Sequence, residues 1–388
     1  MKDPVIYLDN SATTPVSRTA LEAMLPYFSE QFGNPSSAYS FGREAKKAME
    51  DARRSVARSL GALNNEIFFT SGGTEGDNWI IQSVGEQNAS RGRHIISTKI
   101  EHSAVLQTLE RMESRGFTVT LLEPDSRGMI SPEQLRSALR DDTILVSIMT
   151  ANNVVGTLLP VKELCAVAHE KKVLFHTDAV QAVAHIPLRV RDLGVDFLTL
   201  SAHKFHGPKG VGAVYARVPL TPLPLLYGGG QEKGRRSGTE NVAAIVGMAA
   251  ALEEGVQNLA KDTQKIIAMR NTLLETMEKI PGTIITGDRE KRLPTLASCI
   301  FEGLEGQVLV VKLDEEGICA SSGSACFTAK IEPPHVLTAM GYPSKLARGA
   351  LRLSVSTYNT PEEIDRVIEK LPKVVEKLRI RNGEGIKT

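Results

Sequence analysis

The segment Ser201-Ala-His-Lys-Phe-His-Gly-Pro-Lys-Gly210 sets one lysine, Lys204, between an apolar run and a glycine-rich loop. Val195 to Leu200 reads as a buried strand before it, and Val211 to Ala216 as the next strand after it. A lysine at the exit of a buried strand is costly unless its amine is used. Desolvation lowers the amine pKa and frees the nucleophile, so a Schiff base with an aldehyde cofactor is one use, and a plain loop lysine is the other reading. Twenty-six residues upstream, the strand-like run Val173 to Thr177 ends on Asp178, with Gln181 three residues further on. In open α/β sheets, ligand groups gather at the carboxyl ends of strands. An aspartate one strand before a lysine suits pyridoxal phosphate (PLP). The carboxylate keeps the pyridine nitrogen protonated so that the ring accepts electrons, and the lysine carries the aldehyde. Asp178 would also suit the N-cap of a helix entering at Ala179.

Such a cofactor needs a cup for its phosphate. The strand-like run Ile67 to Thr70 enters a Ser-Gly-Gly-Thr turn that leads into a helical run, Asp77 to Val84. Glycines such as Gly73 let backbone N–H groups approach an anion, the helix N-terminus adds its dipole, and Thr74 offers a hydroxyl. The spacing is not that of a P-loop, and any strand-to-helix turn can look like this.

The elements that must position these groups alternate along the chain. A helix over Phe41 to Leu60 carries Ala45, Ala48, Met49, Ala52, Val56 and Leu60 on one face. Ser131 to Gln134 opens another with a capping box and a proline in its first turn. Strand-like runs recur around Ile95, Val119, Ile144, Leu174, Phe197 and Val214, several separated by helical stretches. That alternation predicts an α/β fold with a mostly parallel sheet. Beyond Val256 the pattern changes to a helix over Leu259 to Met277, strands near Ile284, Ala297 and Leu351, and a last helix capped by Thr360 to Glu363 and running to about Ile380. The expected division is a large domain, 14–257, and a smaller α+β domain, 258–388 joined by 1–13. The tail 381–388 is expected to fray.

The chain has 388 residues, which exceeds a typical single core. Its 46 Lys and Arg against 45 Asp and Glu leave no charge excess to draw nucleic acid, and no basic patch interleaved with aromatics suggests direct nucleic-acid binding. No run of eighteen apolar residues or signal-like start is present, so a cytoplasmic protein without a membrane segment is expected. Four dispersed cysteines, Cys165, Cys299, Cys319 and Cys326, make no disulfide framework, and no ligand spacing predicts a metal. Cys165 falls on the apolar face of a helix over Val161 to Lys171, and Cys299 and Cys319 lie in hydrophobic stretches, so all three are expected to be buried. Cys326 differs, because it follows the small polar run Ser321-Ser-Gly-Ser-Ala. An accessible thiol with some thiolate character is a nucleophile.

From end to end the chain resembles the cysteine desulfurases of NifS/IscS type, PLP enzymes of the class V aminotransferase-like group. The resemblance runs through Tyr7 to Thr14, Gly33 to Ser37, Thr70 to Asn78, Ile100 to Ser103 and Ala151 to Gly156. It continues through Asp178 and Gln181, the Lys204 loop, Arg236 to Thr239, Ser321 to Cys326 and Leu351 to Ser354. It implies the aspartate aminotransferase-like fold (fold type I) and the conversion of L-cysteine to L-alanine, with sulfur carried as a persulfide on Cys326. It further implies that His102 stacks on the pyridine ring and moves protons, and that Gln181 and Asn153 serve the ring oxygen, Asn153 also facing the substrate carboxylate. Ser201 and His203 join Gly73 and Thr74 at the phosphate. Thr239 reaches the phosphate from a second subunit of a homodimer, and Arg352 grips the α-carboxylate. Lys204 is the implied general base. The implied sulfur acceptor is an iron–sulfur scaffold protein, with tRNA thiolation an alternative. Selenocysteine lyase, class V aminotransferase and a non-enzymatic scaffold are the rival readings; the intact Lys204 speaks against the last. One departure is Phe327, where the family more often has a small polar residue directly after the cysteine.

Overall fold

The structure, a computed structural model, describes residues 5–323 and 332–381. The expectations placed on Cys326, Phe327 and the tail beyond Arg381 therefore lie outside the described residues. The main sheet has seven strands in the order Ile67–Thr70, Gly212–Ala216, Phe197–Ser201, Leu174–Asp178, Thr143–Ser147, His94–Thr98 and Thr118–Leu122. The last five pair in parallel. Gly212–Ala216 runs antiparallel to both of its neighbours, so the sheet is mixed but mostly parallel.

Strand residues alternate between two apolar clusters, as the period of two requires. Ile96, Val146, Leu198 and Ala213 face a cluster that includes Met49 and Val56 of the helix Ser40–Leu60. Ile95, Leu145, Phe197 and Val214 face the other, with Trp79 and Val84 of the helix Gly73–Asn88 and Leu109 of Ser103–Glu113. Burial on both faces is why these strands read as continuous apolar runs rather than as alternating ones. Helices on both faces leave the carboxyl ends of the parallel strands as the open edge where ligands gather.

A second set of elements follows. Ala350–Ser354, Leu296–Phe301 and Thr283–Ile285 form an antiparallel sheet in that order, and Ile6–Tyr7 pairs in parallel with Ile318–Cys319. Its core gathers Leu351, Leu353, Ile364 and Leu371 with Ile6 and Leu8 from the far end of the chain. Since Leu351 and Leu353 face that core, the side chain between them, Arg352, is directed to the opposite face.

The helix expected over Leu259 to Met277 instead runs unbroken from Val242 to Lys279. Its polar middle, around Glu253 to Asn258, interrupts the apolar period and hid the first half. That half is held by burial of Ile245, Met248 and Leu252 in the large core, and Asn241 caps it by accepting from the Ala244 N–H at 3.1 Å. Both sequence-predicted capping boxes form: Ser131 with Gln134 opens Pro132–Ala138, and Thr360 with Glu363 opens Pro361–Arg381. Among the described residues no helix is long and apolar enough to cross a membrane, and no group of His, Cys, Asp and Glu is placed to hold a metal.

Candidate active site

The strand Phe197–Ser201 turns directly into a 3-10 helix, Ala202–Lys204, which delivers Lys204 to a cleft of about 470 Å³. The same cleft is lined by Gly73, Thr74, His102, Asn153, Asp178, Gln181, Ser201, His203 and Arg352. Residues distant in sequence and proposed for one chemistry thus share one cavity. The Lys204 ammonium donates to the backbone carbonyls of Ser11 and Ala12 at 2.7 and 2.8 Å. Burial, followed by the nearby Arg352 charge, lowers its pKa to about 8, so a useful fraction is neutral amine near physiological pH.

Asp178 ends its strand with a buried carboxyl group. It accepts from the Val180 N–H at 2.8 Å, so it caps the following turn and faces the cleft at once. No helix follows it; residues 180–185 form turns. Burial raises its pKa, while the charges of His102 and Lys204 act to lower it. A cationic ring nitrogen would supply the partner that a buried carboxylate requires.

The anion cup begins earlier than the sequence suggested, because the helix starts at Gly73 rather than near Asp77. Gly72, at φ 151°, makes the turn, and a Cβ there would meet the Ser201 hydroxyl at 3.3 Å. No side chain caps this 16-residue helix, so its first amides remain available to an anion beside Ser201, His203 and Thr74. The His203 ring exchanges a hydrogen bond with Thr13 at 3.1 Å, and burial lowers its pKa to about 4.

His102 caps the helix Ser103–Glu113: its Nδ1 accepts from the Ala104 N–H at 3.1 Å. An acceptor Nδ1 places the ring proton of the neutral form on Nε2. Burial lowers its pKa, keeping the ring neutral. The structural and functional readings of His102 therefore coexist in one side chain. Gln181 donates its amide to the Ser11 carbonyl at 3.0 Å.

Arg352 donates to the Asn153 carbonyl at 2.8 Å and to Asp9 at 2.6 Å, and its Nε has no partner among the described residues. Asp9, together with the carbonyls of Ser11 and Ala12, is a site feature that the sequence reading missed. Its motif was noted, but its partner lies 343 positions away, and no local spacing signals that contact. Asp77 also lines the cleft and was read only as the start of a helix.

Thr239 is not in the Lys204 cleft. It lies with Thr70, Ser71, Gly210 and Arg236 around a separate hollow, and Arg236 pairs with Glu75 in the first turn of the cup helix at 2.8 Å. Ser321 and Gly323, the last described residues before Cys326, do line the cleft. Cys165 and Cys299 are buried as expected, while Cys319 is only half-buried, because it sits on the two-residue pair with Tyr7 rather than inside the core.

Residues 6–367 match the family described as aminotransferase class-V. A protein of Methanosarcina thermophila named cysteine desulfurase IscS is 49% identical over 378 residues, covering 97% of this chain and 94% of its own length. One of Clostridium botulinum with the same name is 47% identical over 377 residues, covering 96% and 95%. Among solved structures, one titled NifS-like protein superposes with a TM-score of 0.91 at 42% identity, covering 96% of this chain and all of its own. Read with the cleft, these likenesses place the chain in the class V aminotransferase family, within its cysteine desulfurases of NifS/IscS type.

Proposed function

We propose that the chain is a PLP-dependent cysteine desulfurase that converts L-cysteine to L-alanine and passes the sulfur on through Cys326. The observation that carries this reading is the convergence, in one cleft, of a lysine amine with lowered pKa, a buried carboxyl, an uncapped helix N-terminus and an arginine. The donor set fits the cofactor: Lys204 takes the aldehyde, Asp178 the ring nitrogen, Gln181 and Asn153 the ring oxygen, and Gly73, Thr74, Ser201 and His203 the phosphate. Bound there, the cofactor supplies an electron sink for the substrate's Cα.

The chain's own residues do the rest. Arg352 holds the substrate carboxylate, directed by Asn153 and Asp9. Lys204, once free, takes and returns the Cα proton, and the neutral His102 offers its Nε2–H as a hydrogen-bond donor in the cleft. Cys326 thiolate forms an S–S bond to the substrate sulfur as the Cβ–S bond breaks. The electron pair of that bond stays with the carbon skeleton, which takes up a proton and leaves as alanine. The persulfide then serves a sulfur acceptor, for which an iron–sulfur scaffold in the cytoplasm is the best reading.

Thr239 is assigned to the phosphate of a second subunit in a homodimer, which its absence from its own cleft supports. Residues 14–257 are assigned to the cofactor-binding domain, and 258–388 with 1–13 to the smaller one. The test is Cys326→Ala. It should leave cofactor binding intact and abolish sulfide release from cysteine, whereas an aminotransferase would not notice the change and a selenocysteine lyase would keep its activity on selenocysteine. Full cysteine turnover in that variant would remove Cys326 from the mechanism.

A further inference from the structure

Asp77 is a buried acid that the reaction as described does not use. It lies in the helix Gly73–Asn88 and is 1% exposed, yet it lines the Lys204 cleft together with Asp178. Its Oδ1 has no hydrogen-bond partner among the described residues, and His176 Nε2 lies too far for one, at 3.6 Å. Thr199, on the neighbouring strand, acts on the same carboxyl group in favour of its anion.

Behind Thr199 a buried polar chain crosses the sheet. His176 Nε2 lies 3.0 Å from the Thr199 hydroxyl, and His176 Nδ1 lies 2.9 Å from that of Ser147. Each ring nitrogen of His176 therefore meets a hydroxyl, and a ring that donates from one nitrogen and accepts at the other satisfies both. The imidazole is then neutral, in keeping with burial that pushes its pKa down to about 3. No cation therefore answers Asp77 from this side. These residues are buried, and the helix sits tightly on the sheet there, since a Cβ on Gly76 would meet Thr199 Cγ2 at 2.6 Å.

Asp77 meets negative potential chiefly from Asp178. Glu101, the third buried carboxyl group nearby, is pushed up to about 8 by burial and is largely neutral near pH 7. Two buried carboxylates facing one cavity cannot both ionise cheaply. Of the two, Asp178 has the better claim to the charge: it accepts from a backbone N–H, and the charges of His102 and Lys204 favour its anion. Asp77 keeps an orphan oxygen. An unpartnered anionic oxygen in the interior costs more than an unpartnered neutral one. We infer that Asp77 is a positioning residue for Asp178: it carries the single proton that the pair holds, so that Asp178 is the anion facing the cofactor's ring nitrogen. This rests on the cofactor reading above.

The test compares the melting of the cofactor-free wild-type and Asp77→Asn chains across pH, together with the affinity of each for PLP. An acid held neutral in the fold but ionised when unfolded stabilises fully below its unfolded pKa, and that contribution is lost as pH rises. The asparagine amide keeps the shape without that loss. Asp77→Asn should melt higher than wild type by ~2 °C or more at about pH 8, with the gap closing towards about pH 5, and should bind PLP within about threefold of wild type. In an Asp178→Asn background the like charge is gone, so the same substitution should raise the melting temperature by less than about half as much.

A variant that melts lower at every pH, or does not fold, would show an ionised structural acid and overturn the proposal. So would a PLP affinity reduced more than about tenfold at unchanged melting, which marks direct cofactor contact, or an equal gain in both backgrounds. If the wild-type chain binds no PLP, the cofactor reading fails, and the melting comparison still decides where the proton sits.

Discussion

Arg352 and Asp9, 343 positions apart, meet at 2.6 Å in the cleft that holds Lys204. Burial is the first cause of the low Lys204 pKa, but the two charges then act on it in opposite senses, Arg352 lowering it and Asp9 raising it. Arg352→Gln should therefore raise the Lys204 pKa from about 8, and Asp9→Asn should lower it. The expected displacements are on the order of half a unit to one unit, read from the pH dependence of the rate at which the cofactor-free chain captures PLP. Shifts of the same sign in both variants would contradict this electrostatic account.

His102 combines a helix cap with a place in the cleft, and the two roles can be separated. Asparagine is a good N-cap, so His102→Asn should cost under about 0.5 kcal/mol of stability, whereas His102→Ala should cost about 1 kcal/mol. Both should lose cysteine turnover by about a hundredfold or more if the ring moves protons. Turnover retained in His102→Asn but lost in His102→Ala would reduce this histidine to its cap.

The cysteines should divide by chemistry. Burial pushes the Cys165 thiol up to about 12 and raises that of Cys299 as well, so both stay protonated and inert near neutral pH. Cys299→Ala should leave sulfide release from cysteine unchanged and cost ~1 kcal/mol for the small cavity in its core. Cys165→Ala should likewise keep activity. Loss of sulfide release in either variant at intact cofactor binding would show that the sulfur route runs elsewhere than Cys326.

The assignment of Thr239 to a second subunit predicts complementation. A mixed dimer of Lys204→Ala and Thr239→Asp chains would contain one cleft with both Lys204 and a proper Thr239 from across the interface. It should recover about half of the wild-type activity, while each variant alone stays nearly inactive. If Thr239 served its own cleft, no site in the mixture would be complete, and activity would stay at the level of the parents.

Much of the fold was legible because its signals are local. Buried strands such as Phe197–Ser201 announce themselves as apolar runs, and capping boxes at Ser131 and Thr360 mark helix starts within four residues. Lys204 and Asp178 were legible as chemistry because each stands at the polar end of such a run. The hidden features depend on long-range contacts. The helix Val242–Lys279 is continuous because two different cores bury its two halves, which its own polar middle does not reveal. The Arg352 partner, the carbonyls that hold Lys204 and the Thr199–His176–Ser147 chain behind Asp77 all join segments that only the folded sheet brings together.

The most direct test of the central claim is the visible absorption spectrum of the PLP-loaded protein before and after addition of L-cysteine, with alanine and sulfide measured under reductant. The account predicts a visible band that depends on Lys204, changes on cysteine, and is accompanied by equal amounts of alanine and sulfide. A band that ignores cysteine while the protein moves amino groups to a keto acid would contradict the desulfurase assignment, and a chain that cannot be loaded with PLP would contradict the role of Lys204 itself.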